Sequence, residues 1–493
     1  MACEVVVVGG GIGGLTVTAL LAKRGVDVCL LEREPQVGGC ATNFEKFGYS
    51  FEPGYGLFTG WKPDEIHALL FAELGIEAPE TRLCVPSYLV RLPDQAELAL
   101  VNDNERFEEN LCKTFPECAT GAVAFYRGIA TLGTTLRRVL QRSPDLLSMS
   151  NSRRALSLVP EGRIAAAILK ASQRSTADYL GEVSLRFRRF VDVQLQTLTQ
   201  ASSLEVPYLH AALALNAPRE GMFAMRGGAA ELAKRLAQSI YGNGGRIRLD
   251  TPVLRLSYNS EGDASGVDLL SGETVTAARA VVSNLTVWDT YGKLAGLNHT
   301  PLEIRRQLNK QKGWGAYLLL LGMEEDASLV ADHILALTDW QDGRPYDSTA
   351  AQLMFAAAPS WDPRAPAGKR AVTVHAFTDV DDWFTFHKDE TELEEKDQEM
   401  LEQCWLRLHA ALPELGDSVE VIETANPRTF YEQTRRKLGM VGSLPPTPLS
   451  FWLDGPAYAT SIKNLFIVGD TTYPFGIEGL TRSALLLANK LTA

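Results

Sequence analysis

The sequence predicts an α/β fold with a parallel sheet at its centre. Residues 4–8 (EVVVV) have the continuous β-branched character of a buried strand, and a glycine-rich turn, a helical stretch at 15–23 and a second strand at 26–31 follow. This order of elements forms a βαβ unit. Near the other end, residues 464–468 (NLFIV) have strand character and precede a predicted helix at 480–491. Both ends of the chain are therefore expected to build the sheet and its helices.

Length and composition predict a two-domain protein in a reducing compartment. The chain has 493 residues, 45% of them hydrophobic, which is too long for one simple core. The net charge of −12 argues against a nucleic-acid partner, which requires a basic face. The seven cysteines are scattered and form no CxxC pair, so we expect a cytoplasmic location without a disulfide framework. No residues have metal-ligand spacing, and no metal is predicted.

The sequence predicts no membrane-spanning segment but leaves contact with a membrane surface open. Residues 5–22 are apolar, yet they contain five glycines and follow Glu4 rather than a basic segment. Basic and apolar residues are mixed in 152–156 (SRRAL) and 163–170 (RIAAAILK). Such stretches are typical of helices on an anionic membrane surface, and equally of helices packed against their own domain. Peripheral contact with the inner face of a membrane therefore stays an alternative.

The glycine-rich turn has the spacing of a dinucleotide-binding loop. Gly9, Gly11 and Gly14 form GxGxxG directly between a strand and a helix, which predicts a Rossmann-type site. Gly9 allows the tight turn, Gly11 the approach of a pyrophosphate, and Gly14 the packing of the helix on the strand. The free N–H groups and the positive dipole end of the helix would face the phosphates. Ile12 and Gly13 complete the predicted loop.

An acid and a second glycine turn extend this site. Glu32 ends the second strand and can accept hydrogen bonds from ribose hydroxyls, whereas it would repel a 2′-phosphate, so NADP is disfavoured. The doublet Gly38-Gly39 is expected to bring another backbone segment onto the pyrophosphate, although an ordinary loop is the alternative. Three flanking residues are also predicted to contact the cofactor: Arg33, Cys40 and Ala41.

Longer stretches resemble a known family. Residues 39–44 (GCATNF) with 48–54 (GYSFEPG) resemble the phytoene desaturase and carotenoid isomerase family of FAD-dependent oxidoreductases, whose fold is glutathione-reductase-like. They are most similar to the bacterial carotenoid 3,4-desaturase branch, in which GGCA and a phenylalanine precede an F-D-x-G motif. Glu52 takes the place of the usual aspartate. Residues 208–215 and 439–445 (GMVGSLP) are similar to further family segments.

The resemblance implies FAD as the cofactor and adds predicted contacts. The Gly469-Asp470 pair matches the family position that holds the ribityl and pyrophosphate region. The last helix is implied to point its N-terminus at the flavin N1/O2 edge, where a positive dipole end stabilises the reduced flavin. Val253 matches the position whose backbone contacts the adenine. The residues implied to contact the cofactor just before the last helix are Gly476, Ile477 and Glu478.

The predicted cofactor domain is assembled from separate stretches of chain. We assign residues 1–80, 225–285 and 460–493 to a Rossmann-type FAD-binding domain, and residues 81–224 and 286–459 to a mixed α+β substrate domain. The substrate ranges contain no triad motif and no paired acids, so no catalytic residue is predicted. Cys40 invites a redox role, but a small residue required beside the cofactor is the interpretation that we favour.

Three functional hypotheses follow. The first is an enzyme that desaturates a carotenoid or another polyisoprenoid by hydride transfer to flavin N5, with an isomerase or a saturase on the same fold as variants. The second is a soluble amine oxidase-like or natural-product oxidoreductase with a smaller substrate. The third is a non-enzymatic flavin-binding protein. Residues 470–476 (DTTYPFG) are one residue shorter than the family's G-D-S-x-x-P-G-x-G and lack one of its glycines, which leaves the reaction open. The partner predicted is a hydrophobic small molecule, and the oligomeric state is not predicted.

Overall fold

Two sheets form the frame of the protein. The computed structural model describes residues 1–143, 146, 151–310, 313–384, 390–442, 458–472 and 475–493. The strands are β1 (Ala2–Val8), β2 (Val28–Leu31), β3 (Phe44–Lys46), β4 (Tyr49–Phe51), β5 (Thr81–Leu83), β6 (Tyr88–Arg91), β7 (Glu97–Leu100), β8 (Phe223–Met225), β9 (Arg246–Arg248), β10 (Val253–Tyr258), β11 (Ala264–Leu269), β12 (Thr274–Ser283), β13 (Gly315–Glu324), β14 (His333–Leu337), β15 (Gln352–Ala357), β16 (Lys369–Thr378), β17 (Val419–Ala425) and β18 (Leu465–Ile467).

Helices cover both sheets. They are α1 (Ile12–Lys23), α2 (Ile66–Leu74), α3 (Asn104–Thr114), α4 (Ala119–Arg142), α5 (Asn151–Ser157), α6 (Arg163–Gln173), α7 (Ala177–Leu180), α8 (Leu185–Thr199), α9 (Tyr208–Glu220), α10 (Gly228–Gly242), α11 (Val287–Asp289), α12 (Leu302–Leu308), α13 (Ser348–Ala351), α14 (Glu390–Ala411), α15 (Pro427–Thr434) and α16 (Gly476–Thr492). Within the described residues, none of these helices combines the length and the apolar character needed to cross a bilayer.

The first sheet joins distant parts of the chain. Its order is β10-β11-β12-β1-β2-β9, with β18 paired to β12, and β1 is parallel to both of its neighbours. Val5, Val6 and Val7 have no exposed surface, as a β-branched strand buried on both faces requires. The strands come from within 1–80, 225–285 and 460–493, so the α/β fold with a Rossmann-type sheet is confirmed. The exact domain boundaries stay a prediction.

Helix α1 is buried on all sides. It packs against α10 and α16, and its residues from Ile12 to Ala22 are buried, so its apolar character is not confined to one face. The helix begins at Ile12, and the predicted start at residue 15 was wrong. Gly13 and Gly14 lower the intrinsic helix propensity, but tertiary packing outweighs that cost. The predicted strand at 26–31 is likewise shorter, because β2 begins at Val28.

The second sheet carries the other domain. Its order is β17-β13-β16-β15-β14-β6-β7, and its pairs are antiparallel except for β14 with β6. Strand β13, next to the edge strand β17, is buried, with Tyr317 and Leu321 fully enclosed. Helices α8 and α9 pack on this sheet, in one core with β6 and β14. A short pairing of β5 with β8 joins the first two of the four segments in which the chain passes between the sheets.

Two buried histidines hold the ends of the segment 53–60, which leads from β4 towards α2. A ring nitrogen of His375 lies 3.2 Å from the carbonyl oxygen of Pro53, and Nδ1 of His67 lies 3.0 Å from that of Gly60. Burial lowers the pKa of each ring to about 4. Both histidines are therefore neutral at physiological pH, and their hydrogen bonds hold the two ends of the segment in place.

We predict that stability falls steeply between pH 6.5 and pH 4. In this range the unfolded chain protonates His67 and His375, whereas the folded chain does not, so the free energy of unfolding decreases as pH falls, by about 1.4 kcal/mol per pH unit for each ring. Urea unfolding at pH 7, 6 and 5 measures this slope. His67→Gln should flatten it, and His299→Gln, at an exposed position, should not. Equal slopes in all three proteins would contradict the prediction.

Candidate active site

A large cavity lies between the two sheets. Its volume is about 1210 Å³, above the roughly 300–1,000 Å³ of most small-molecule sites. Of the residues predicted to contact the cofactor, all except Gly14 line it. The lining members are Gly9, Gly11, Ile12, Gly13, Glu32, Arg33, Gly38, Gly39, Cys40, Ala41, Val253, Gly469, Asp470, Gly476, Ile477 and Glu478. Residues that are scattered along the chain therefore meet at one end of a single space.

The phosphate loop has the geometry that the glycine spacing predicts. Gly9 has φ +100°, a conformation that favours glycine, and Gly11 is the N-cap of α1. No described side chain caps this helix end, so its N–H groups face the cavity. The loop thus offers backbone donors and a positive dipole end to an anion.

Gly14 does not line the cavity but is required for the packing of α1 against β1. A Cβ placed on it would overlap the carbonyl oxygen of Gly9. The same Cβ would lie 3.1 Å from the side chain of Asn284, which follows β12. Only a glycine therefore lets α1 sit this close to the end of β1, which agrees with the role predicted for it.

The acid after β2 is tied to the loop. Oε2 of Glu32 accepts a hydrogen bond from the N–H of Gly10 at 2.6 Å, and Oε1 accepts one from Glu34 at 2.8 Å. These bonds fix the carboxylate at the carboxyl end of β2, beside the loop. Arg33 forms an ion pair with Glu34, and both residues line the cavity. Val253, at the start of β10, lines the same end of the cavity.

The second glycine turn lies directly on the phosphate loop. The N–H of Gly38 donates to the carbonyl oxygen of Gly10 at 2.8 Å, and a Cβ on Gly39 would lie 3.3 Å from Cα of Gly11. Two backbone segments therefore border the same space. Burial raises the pKa of the Cys40 thiol, which keeps it protonated and agrees with a structural rather than a redox role.

The C-terminal segment closes the same end. Asp470 forms an ion pair with Arg436, with 3.0 Å between Oδ2 and Nη2. Helix α16 begins at Gly476, so the predicted start at residue 480 was wrong: Phe475, with φ +78°, turns the chain into the helix earlier. Glu478 accepts a hydrogen bond from Thr59 at 2.6 Å. Tyr473, Pro474 and residues 443–445 of the predicted motifs lie outside the described residues.

Two residues of this end were missed by the sequence analysis. Nδ2 of Asn284 donates to the carbonyl oxygen of Val468 at 2.8 Å, and its amide would touch a Cβ placed on Gly11 or Gly13. The sequence could have indicated Asn284 by its position directly after a predicted parallel strand. In open α/β sheets, ligands bind at the carboxyl ends of the strands. Arg436 lies in a segment without a motif, and only the fold brings it to Asp470.

The other end of the cavity is apolar. Side chains from α8, α9 and the second sheet line it: Leu198, Leu213, Ala217, Met222, Leu335 and Met354. The lining also includes Leu69 of α2, which is 60% exposed, so the cavity opens to the surface there. Arg137 borders this opening and forms ion pairs with Glu65 and Glu220. The cavity thus joins a polar backbone cradle to an apolar chamber.

Comparison with known proteins places this arrangement in a family. Residues 12–492 match the family model described as flavin containing amine oxidoreductase. The chain belongs to this family. It is therefore an FAD-dependent oxidoreductase, and the predicted cofactor and enzyme class are confirmed. The glycine cradle fits such a cofactor, because backbone donors and glycine surfaces allow a diphosphate to approach closely.

Relatives within the family also bear out the resemblance read from residues 39–54. The chain is 25% identical to prolycopene isomerase 2 (chloroplastic) of an Oncidium hybrid cultivar, over 99% of this chain and 84% of that protein. It is 26% identical to all-trans-retinol 13,14-reductase of Danio rerio, over 98% and 84%. It is 22% identical to the neurosporene-forming phytoene desaturase of Rhodobacter capsulatus, over 99% and 93%.

We predict that Gly14→Ala lowers both FAD content and thermal stability. The added methyl group forces α1 away from β1 and displaces the donors at its N-terminus. The ratio of flavin absorbance to protein absorbance and a thermal melt measure the two effects. Gly242→Ala is the matched control, because a Cβ at Gly242, the last residue of α10, would meet nothing within 4 Å. A Gly14→Ala protein with normal flavin content and melting temperature would contradict the packing role.

Proposed function

We propose that this chain is an FAD-dependent desaturase of a carotenoid or another polyisoprenoid. The observation that carries the proposal is that the apolar chamber and the glycine cradle belong to one cavity. A long hydrocarbon substrate needs an apolar space of this kind beside the cofactor, whereas a small polar amine does not. The desaturase, reductase and isomerase among the relatives support a substrate of this class.

We propose a cofactor orientation that follows from the same geometry. The diphosphate lies against the loops at Gly9 to Gly14 and at Gly38-Gly39, and the ribose of the adenosine lies near Glu32. Gly469 and Asp470 border the ribityl chain. The N-terminus of α16, at Gly476 to Glu478, faces the flavin ring and offers it a partial positive charge. This assignment uses most of the residues predicted to contact the cofactor; Arg33, Cys40, Ala41 and Val253 line the same cavity.

The chain's own part in the reaction is positioning and exclusion of water. FAD, when bound, would supply the hydride acceptor, and a proton would leave the neighbouring carbon of the substrate. Leu213 and Ala217 of α9 and Leu335 and Met354 of the sheet line the chamber, and they would hold a hydrocarbon among apolar side chains. Ordering of the substrate in that space replaces a dedicated catalytic side chain.

Isomerisation and saturation use the same chamber and are the second candidate. The isomerase and the reductase among the relatives favour this alternative directly. Reduced flavin, rather than oxidised flavin, would then be the active form. The products distinguish the three reactions: desaturation lengthens the chromophore, saturation shortens it, and isomerisation changes the geometry at constant mass.

The test is expression in cells that accumulate acyclic carotenoids, with pigments analysed by absorbance and mass. We expect a longer chromophore with the wild-type chain. Ala217→Trp, which fills the chamber, should reduce conversion at least tenfold while FAD content stays normal. Leu204→Trp, at a side chain that is 71% exposed, is the matched control. Unchanged pigments with a flavin-loaded wild-type protein would overturn the proposal.

We further propose that the helical hairpin of α5 and α6 contacts an anionic membrane. Leu156, Val159 and Ile164 are 74%, 68% and 42% exposed, which is unusual for large apolar side chains close together. Arg153 and Lys170 are also exposed in this hairpin. Apolar side chains beside basic ones are the composition of an interfacial helix. The hairpin follows Leu140 and Gln141, which line the cavity.

We predict that Leu156→Asp with Val159→Asp abolishes binding to anionic vesicles. The two carboxylates oppose both insertion and charge attraction. Co-sedimentation with vesicles of anionic and of neutral lipid measures the effect, and wild-type protein should prefer the anionic ones. Leu406→Asp, at an equally exposed side chain on α14, should bind like wild type. Wild-type protein that ignores both kinds of vesicle would contradict the surface contact.

A further inference from the structure

Arg436 occupies a special place at the cofactor end of the cavity. Its guanidinium forms the ion pair with Asp470, and its Nε donates to the carbonyl oxygen of Met440 at 2.7 Å. The side chain is only 15% exposed, although it lines the cavity. It also neighbours the second glycine turn: burial raises the pKa of Cys40, and the positive charge of Arg436 opposes that rise.

The segment around Arg436 is held in an unusual conformation. Arg435 and Leu438 have φ values of +51° and +53°, which non-glycine residues rarely adopt. A Cβ on Gly439 would overlap the carbonyl oxygen of Pro427, so the turn is packed tightly on the start of α15. Such conformations persist only where the surrounding structure enforces them, and they concentrate at functional sites. The fold therefore directs the side chain of Arg436 into the cavity.

The charges at this end of the cavity call for a cation. Glu32 and Asp470 already place two carboxylates there, and the diphosphate of FAD adds further negative charge. A helix N-terminus supplies only about half a charge. Burying unpaired negative charge is expensive.

The other positively charged residues that line this end interact with neighbouring side chains. Arg33 is paired with Glu34, and Lys293 is paired with Asp289 at 2.7 Å. Arg435 is exposed, and its charge lies over the ring of Tyr431. Among the described residues that line the cofactor end, Arg436 is a largely buried cation, and it lies beside Cys40 of the second glycine turn.

We propose that Arg436 is the counter-ion of the FAD diphosphate and that Asp470 holds it in position. The proposal rests on the cofactor orientation given above and is independent of the substrate. In this proposal Arg436 recognises the diphosphate by its positive charge. The glycine loops contribute only neutral backbone N–H donors. Arg436 would thus decide how tightly the chain holds its cofactor.

The test compares Arg436→Met with Arg306→Met, a change at an exposed arginine of α12 that does not line the cavity. The full-length chain, after removal of bound flavin, is titrated with FAD, with ADP and with adenosine, and binding is followed by calorimetry. For Arg436→Met we expect FAD and ADP to bind roughly 10- to 100-fold more weakly, the loss that follows from one charge-assisted hydrogen bond. Adenosine, which lacks phosphate, should bind as to wild type. Arg436→Lys should be intermediate.

Two results would overturn the proposal. One is FAD affinity in Arg436→Met equal to that in Arg306→Met. The other is an equal loss for ADP and adenosine, which indicates a structural role. Gly11→Val separates this failure from failure of the orientation itself: if that variant keeps its fold by circular dichroism and still binds ADP like wild type, the diphosphate does not lie at the loop at all.

Discussion

Asn284 packs between the phosphate loop and the last strand, and this contact, called the wedge below, determines the shape of the cofactor end. Its backbone N–H donates to Val8 and its side chain to Val468, so one residue joins the carboxyl ends of β1, β12 and β18. The amide fills the space that side chains on Gly11, Gly13 and Gly14 would need. The glycine spacing is therefore a packing requirement of the protein as well as an adaptation to a ligand. A larger residue at Gly14 would collide with the backbone of Gly9, and one at Gly11 or Gly13 would displace the amide of Asn284.

This wedge also explains why the sequence predicted one part of the site and missed another. The GxGxxG loop, Glu32 and the doublet at Gly38-Gly39 are close in sequence, and their chemistry follows from local backbone rules. The family resemblance added Gly469 and Asp470 at the far end. Asn284 carries only the weak signal of its place after a parallel strand. Arg436 carries none, because its role depends on a contact with Asp470 that only the fold creates. Prediction therefore reached the backbone of the site but not the side chains that fill it.

Element boundaries failed for a related reason. Helices α1 and α16 both begin earlier than their composition predicts, and both begin at or beside glycines. Composition treats glycine as a helix breaker, whereas here the cost of a few tenths to one kcal/mol per glycine is outweighed by burial of the helix against the sheet. The early start brings each helix N-terminus to the cavity wall. If a polar N-cap side chain accepted hydrogen bonds from the first N–H groups of such a helix, those donors would no longer be available at the cavity.

The two ends of the cavity divide the work of the enzyme. At the cofactor end, backbone donors, two carboxylates and a buried arginine form a polar site that many parts of the chain help to build. At the other end, apolar side chains predominate, although Arg137 and Glu65 border the opening. Under the proposed function, the direction of electron flow would depend on the redox state of the flavin. It would also depend on which bond of the substrate lies beside the flavin ring. This division allows different reactions on one fold. The relatives named as an isomerase, a reductase and a desaturase each match nearly the whole chain, which agrees with it. Differences in activity within the family are therefore to be sought in the lining of the apolar chamber and in electron supply.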